Sequence, residues 1–140
     1  MTNEIRSEDA GNKKIYNLGE RTAVFGEEIV KFATRIPKNV ITLPLITQLV
    51  KAGTSIGANY CEADGAESRK DFEHKIGICK KESKETKYWL RIIKITIPES
   101  KHDAERLWQE AQELTLIFSS IRNSSQKRPG NKIFSHLTFI

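Results

Sequence analysis

The sequence has few of the residues that build metal centres, disulfide frameworks or membrane spans. Its only cysteines, Cys61 and Cys79, form no C-x-x-C pair, so we expect neither a metal site nor a disulfide framework. No apolar run approaches the roughly 20 residues that cross a bilayer, and the polar opening lacks the features of a secretion signal. We therefore predict a cytoplasmic protein whose two cysteines are small residues of the core.

Catalytic and cofactor-binding motifs are also missing. The three histidines, His74, His102 and His136, belong to no H-E-x-x-H pattern, and no glycine-rich phosphate loop is present. Glu82 and Glu85 are spaced like a general acid and base, or like two carboxylates of a metal site in a helix bundle. The bundle metal pattern requires a Glu-x-x-His, which neither provides, so ion pairing is the better interpretation. The sequence predicts a protein that is not an enzyme and has no metal or cofactor.

Positive charge is in excess in a chain of the size of one domain. The 140 residues include 23 lysines and arginines against 18 aspartates and glutamates, which gives a formal net charge of +5 at pH 7. With 38% hydrophobic residues, the chain is long enough to bury one core and suits an α-rich protein. The charge balance favours an acidic partner, although charge alone identifies none.

The clearest periodicity lies in the stretch from Ser68 to Ile97. Apolar and small residues recur there at alternating spacings of four and three, which indicates a helix with one edge packed along other helices. The residues of this seam are Phe72, Ile76, Cys79, Ser83, Thr86, Leu90, Ile93 and Ile97. A second line beside the seam repeats the same spacing and is entirely cationic. We name it the basic row, and its members are Lys80, Lys84, Lys87, Arg91 and Lys94.

Three further helices are predicted from apolar stripes that end at prolines or turn signals. They cover about 18–36, 44–64 and 101–123. Four amphipathic helices joined by short links predict an all-α fold, an antiparallel up-down-up-down four-helix bundle. We therefore divide the chain into three parts. These are a flexible N-terminal arm at residues 1–17, the bundle at 18–123, and a C-terminal tail at 124–140 that begins as a flexible linker.

Two glycines interrupt the seam of the second helix. Gly53 and Gly57 each cost about 1 kcal/mol relative to alanine in a helix interior. Close approach of a neighbouring helix would offset that cost, and Ser83 and Thr86 of the third helix are the candidate neighbours. The sequence therefore predicts tight packing at these glycines.

Large side chains outside the apolar stripes predict contact between copies of the chain. Tyr88, Trp89 and Ile92 of the third helix, and part of Trp108 of the fourth, would be exposed on a monomer. Such groups usually mark subunit interfaces. We therefore expect a homo-oligomer with these four residues at its interface.

Several strings of the sequence resemble a known family. They are Lys51 to Glu62 (KAGTSIGANYCE), Ser68 to Phe72, Lys81 to Arg91 (KESKETKYWLR) and Glu110 to Ile121 (EAQELTLIFSSI). Together they cover roughly residues 20–123, and they are similar to the small four-helix-bundle proteins encoded in intervening sequences of 23S ribosomal RNA genes. Where that family usually has Ala-Glu-Gly after the second helix, this chain has Cys61-Glu62-Ala63. The tail lies outside the resemblance.

The resemblance implies a bundle that assembles as a ring, commonly a pentamer. It also implies kinship with the accessory variability determinant of diversity-generating retroelements, a similar bundle whose ring binds nucleic acid and a reverse transcriptase. Most members of the family have no established biochemical activity. The family name records where the genes were found and does not by itself show that these proteins bind ribosomal RNA.

Two functions remain open from the sequence. The basic row extends about 21 Å along its helix, which spans several phosphates of a single strand, so the first is a non-enzymatic accessory protein that binds RNA or DNA through the row. Lysine-rich helix faces are, however, often simply solvated. The second is a protein interaction scaffold, for example for a reverse transcriptase or another RNA-handling partner. It would hold that partner through Tyr88, Trp89 and the apolar C-terminal tail.

Overall fold

The computed structural model describes residues 17–127, and every regular element in that range is helical. The helices are α1 at Leu18–Arg35, α2 at Thr42–Asp64, α3 at Arg69–Thr96 and α4 at Lys101–Lys127, with a short 3₁₀ turn at Pro98–Ser100 before α4. None of these helices carries an apolar stretch of bilayer-spanning length. The predicted N-terminal arm up to residue 16, and the predicted tail from residue 128 onward, lie outside the described residues.

Side chains cap the starts of α2 and α3. At α3 the Ser68 hydroxyl accepts a hydrogen bond from the Asp71 amide at 3.0 Å, which satisfies one of the free amides of the first turn. At α2 the cap comes from the preceding link, where Asn39 Oδ1 accepts bonds from the amides of Ile41 and Thr42 at 2.9 and 3.0 Å.

The last helix continues one turn beyond its predicted end near residue 123. Ser125 is buried, and its hydroxyl donates a hydrogen bond to Glu73 Oε1 of α3 at 2.8 Å. Because this contact gives the final turn a tertiary partner, residues 124–127 are helical, and the prediction of a flexible linker there is wrong. Packing of this kind supplies most helical stability in proteins.

Consecutive helices run antiparallel. Lys75, early in α3, pairs with Glu62 near the end of α2 at 2.6 Å, and Lys94, late in α3, pairs with Glu105 near the start of α4 at 3.6 Å. The short link 36–41 likewise turns α1 back onto α2. The four helices therefore alternate in direction in the predicted up-down-up-down order.

One core runs between the four helices, and α3 contributes a continuous edge to it. The predicted α3 seam from Phe72 to Ile93 is at most 4% exposed at every position, and Ile97 is partly buried. The two polar members of the seam are satisfied within their own helix, since Ser83 donates to the Cys79 carbonyl at 2.8 Å and Thr86 to the Glu82 carbonyl at 2.7 Å. Such back-bonding lets a hydroxyl be buried without a partner on another helix.

The close approach predicted at the α2 glycines is present, but α1 makes it. A Cβ on Gly53 would lie 2.8 Å from Ile29 Cγ2, and one on Gly57 would lie 3.2 Å from the Thr22 carbonyl oxygen. The expected neighbours, Ser83 and Thr86 of α3, are not the groups that crowd these positions. The glycines lie on the flank of α2 that faces α1, whereas α3 packs against another flank.

Ion pairs join α1 to α4. Arg21, with a side chain only 11% exposed, donates two hydrogen bonds to Glu110 at 2.9 and 2.7 Å and one to Glu113 at 2.7 Å. Charge-assisted bidentate bonds of this kind are the strong class of hydrogen bonds in proteins. Two further pairs lie along the junction, Arg106 with Glu28 at 3.6 Å and Arg35 with Asp103 at 3.5 Å.

The two cysteines occupy different environments. Cys79 is a core residue as predicted, with its thiol directed at the Ile56 carbonyl oxygen at 3.5 Å, and burial raises its pKa to about 12. Cys61 is exposed, so the prediction that it is a core residue is wrong. The buried edge of α2 passes through Tyr60 and Ala63, which leaves Cys61 outside it.

Glu82 is half-buried in α3. Burial, followed by the neighbouring charge of Glu85, raises the pKa of Glu82 above the ordinary value of 4.5, and the cations Lys81 and Lys51 offset this only in part. The charged form of Glu82 therefore opposes folding at neutral pH.

Gly53→Ala is expected to destabilise the fold by up to about 2 kcal/mol in urea denaturation, because only about 1 kcal/mol of gained helix propensity offsets an overpacking cost of about 1–3 kcal/mol. The added methyl group would press on the fully buried Ile29. Gly26→Ala is the matched control, since its methyl group would meet Thr54 Cα at an ordinary 3.7 Å. That variant should be at least as stable as the wild type, and equal stability of the two variants would contradict this account.

Glu82→Gln is expected to raise the Tm at neutral pH, because glutamine removes the unfavourable charge. Since the folded state holds this proton more tightly than the unfolded state, Glu82 costs stability as pH rises from the ordinary glutamate range through its raised pKa. The advantage of the variant should shrink below that range, where Glu82 is protonated in both states. Calorimetry at several pH values measures the Tm difference between Glu82→Gln and the wild type. Glu67→Gln, at an exposed position, is the control. A Tm difference that does not depend on pH would refute the prediction.

Candidate functional site

The basic row follows the flank of α3 that faces α4. Each of its residues comes directly after a buried seam residue, so the five lie on one neighbouring flank of the helix. Two of them reach α4: Lys87 Nζ donates to Gln112 Oε1 at 2.5 Å and lies 5.3 Å from the centre of the Trp108 ring, and Lys94 pairs with Glu105. The row thus forms one wall of a groove between α3 and α4.

Most of the charge of the row is not neutralised by carboxylates. Lys84 and Arg91 are exposed and Lys80 is half-buried. No carboxylate of residues 17–127 forms an ion pair with any of these three, and the Lys94 pair with Glu105 is long and solvent-accessible at 3.6 Å. Exposed pairs of this kind contribute little. The row therefore remains a strip of positive potential.

The part of the groove near the end of α3 is a cavity of about 690 Å³. It combines cations with an aromatic side chain and a single carboxylate. Its polar and aromatic lining consists of Arg91, Lys94, His102, Glu105, Arg106, Trp108 and Gln109. Cations that hold phosphates beside a ring that can contact bases are the usual means of binding single-stranded nucleic acid.

The other part of the groove contains a cation that the sequence analysis missed. Gly77, Lys80, Lys81, Lys84 and Arg122 line a shallow depression there of about 290 Å³. Arg122 comes from α4 and extends the row beyond Lys80. A sequence signal for it does exist, because Gly77 occupies the position in the row before Lys80 and its missing side chain leaves space for a long one from α4.

The structure separates the four predicted interface residues. Tyr88 is 54% exposed, whereas Trp89, Ile92 and Trp108 are half-buried. Trp89 and Trp108 pack against the core of their own chain. The predicted exposure is found for Tyr88 and, in part as predicted, for Trp108, whereas Trp89 and Ile92 are less exposed than predicted. Ile95 is 69% exposed and lies on the same face of α3 as Tyr88 and Ile92. We name these three residues the outer patch.

The two histidines that the structure describes are not brought together. His74 and His102 are exposed on α3 and α4, and His136 lies outside the described residues. In the part of the chain from 17 to 127, no three His, Cys, Asp or Glu side chains are placed to share a metal ion.

Comparison with known proteins agrees with the fold described above. The profile of the 23S rRNA-intervening sequence protein family matches residues 15–120. A crystal structure of a protein with unknown function from the S23 ribosomal protein family of Bacteroides thetaiotaomicron is similar, with a TM-score of 0.71 and 30% sequence identity over 79% of this chain and 98% of that chain. No curated protein matches the chain. The chain therefore belongs to the family of 23S rRNA-intervening sequence proteins.

Proposed function

We propose that this protein is a non-enzymatic accessory protein that binds the phosphate backbone of RNA or DNA along the α3–α4 groove. The observation that supports the proposal is that most cations of the basic row lack an ion-pair partner among the described residues. Lys80, Lys84 and Arg91 have no ion-pair partner among the described residues, and only Lys94 meets a carboxylate. Unpaired cations aligned on one flank of a helix attract a polyanion.

The dimensions of the row suit a strand better than a small ligand. Its five cations extend about 21 Å, which corresponds to roughly six phosphates at about 3.4 Å per nucleotide of one strand. Lysine and arginine at this spacing contact phosphates and carry no sequence information. We therefore infer binding that depends on charge and salt, without strong sequence preference.

We further propose that the protein acts as a homo-oligomer, a ring of five copies as the family resemblance implies. The outer patch supports this, because Tyr88 and Ile95 are large apolar groups that the chain leaves exposed. A ring would repeat the basic row once per copy and so increase affinity for a long strand through multivalency.

The second candidate function is a scaffold that holds a protein partner, such as a reverse transcriptase or another RNA-handling protein, without contacting nucleic acid. The same exposed outer patch favours it. The two candidates differ in which surface they need, since the scaffold requires the outer patch and the first candidate requires the basic row.

Reversing two exposed charges of the row tests the first candidate. Lys84→Glu with Arg91→Glu should reduce affinity for single-stranded RNA or DNA by about tenfold or more and lower the slope of log affinity against log salt by roughly 2. Lys31→Glu with Lys51→Glu makes the same change of net charge on α1 and α2 and should have a much smaller effect. Gel retardation and fluorescence anisotropy measure both. Equal losses in the two double variants, or a wild type that binds no nucleic acid at low salt, would refute this candidate.

The outer patch is tested by the double variant Tyr88→Ser with Ile95→Ser. Because both side chains are exposed, the Tm of the monomer fold should change little, while the mass measured by light scattering should fall from that of an oligomer toward one chain. Leu116→Ser on α4, which removes a side chain that is 59% exposed, is the control and should leave the mass unchanged. A wild type that is already monomeric would contradict the oligomer. If the outer-patch variant no longer binds a partner protein that the wild type binds, while its own mass and its nucleic-acid binding are unchanged, the scaffold function is favoured.

A further inference from the structure

The depression around Arg122 differs from the cavity near the end of α3, where Lys94 pairs with Glu105, because none of its four cations has an ion-pair or hydrogen-bond partner among the described residues. We propose that it is a phosphate-binding subsite in which Arg122 is the principal ligand. The proposal rests on the proposed function only in assigning that phosphate to the backbone of a bound strand.

The shape of α3 holds Arg122 in place. A Cβ at Gly77 would lie 3.1 Å from both Cζ and Nη1 of Arg122, so the guanidinium packs directly on the helix where only glycine leaves room. Arginine held flat against a surface loses less freedom when it binds than a free side chain would, and its planar fork suits the oxygens of a phosphate.

The described part of the chain supplies no acceptor for this guanidinium. Among residues 17–127, Arg122 forms no ion pair and no hydrogen bond, and its Nε is buried without an acceptor. The acidic side chain one turn before Gly77 is Glu73, which already accepts from Ser125 at 2.8 Å and pairs with Arg69 at 3.7 Å. Buried donors are normally satisfied, so an unpartnered arginine here points to a ligand.

The surroundings of Arg122 fit an anion of the size and charge of phosphate. Three lysines, Lys80, Lys81 and Lys84, line the depression with it, and no carboxylate does. Four cations so close together repel one another unless an anion lies between them. Lys80 and Lys84 also belong to the basic row, so a strand that follows the row would bring one of its phosphates to Arg122.

Nuclear magnetic resonance of the full chain tests the subsite. Pyrophosphate and a short single-stranded oligonucleotide should each shift the Arg122 Nε–H and Gly77 amide signals. Arg122→Gln should lower the pyrophosphate affinity by about tenfold. Gly77→Ala should lower it several-fold with no change of charge, because the new methyl group displaces the guanidinium. Gly26→Ala, a helical glycine on α1, is the matched control and should bind like the wild type.

A further variant separates this proposal from the proposed function. Arg91→Glu, which lies outside the depression, should weaken oligonucleotide binding by a clearly larger factor than pyrophosphate binding, because its effect on the depression acts only through screened long-range charge. If pyrophosphate shifts the Arg122 signal but no oligonucleotide does, the assignment to a strand is overturned and the site binds small phosphate compounds. If pyrophosphate leaves both signals in place, or binds equally to Arg122→Gln and the wild type, the subsite itself is refuted, whatever the result for Arg91→Glu.

Discussion

The unbroken burial of one edge of α3 determines where the candidate binding residues lie. A seam that stays at most 4% exposed from Phe72 to Ile93 fixes the rotation of the helix about its axis along its whole length. The residue that follows each seam position must then lie on the flank of α3 beside α4. The basic row and the groove are thus consequences of how α3 packs, and a local change in that packing would rotate the cations away from α4.

The α1–α2 and α1–α4 contacts are stabilised in different ways. At Gly57 the α2 backbone approaches the Thr22 carbonyl of α1 directly, and at Gly53 the missing side chain makes room for Ile29 of α1. At the α1–α4 junction Arg21 binds Glu110 and Glu113, so these two carboxylates of α4 lie against α1. They are therefore directed away from the groove next to α3, where Glu105 is the one carboxylate in the described lining.

Periodicity predicted what depends on a single helix, and it failed where pairing between helices decides the outcome. The four helices, their directions, the α3 seam and the alignment of the basic row all follow from spacing along the chain. Spacing could not show that Gly53 meets Ile29, that Ser125 holds the last turn of α4, or that Arg122 joins the row. Each of these depends on which flank of one helix meets which flank of another. Cys61 was misplaced for the same reason, one residue away from a buried edge.

The contrast between the two thiols has a practical result. Cys79 is buried in the core and its pKa is raised to about 12. Cys61 is exposed on α2, where it lines a shallow channel between α1 and α2. This channel is on a different face from the α3–α4 groove. The natural chain therefore accepts one maleimide dye at one known position without any substitution. In the proposed oligomer, energy transfer between dyes on two copies would then report how the copies are arranged while the cationic groove stays free.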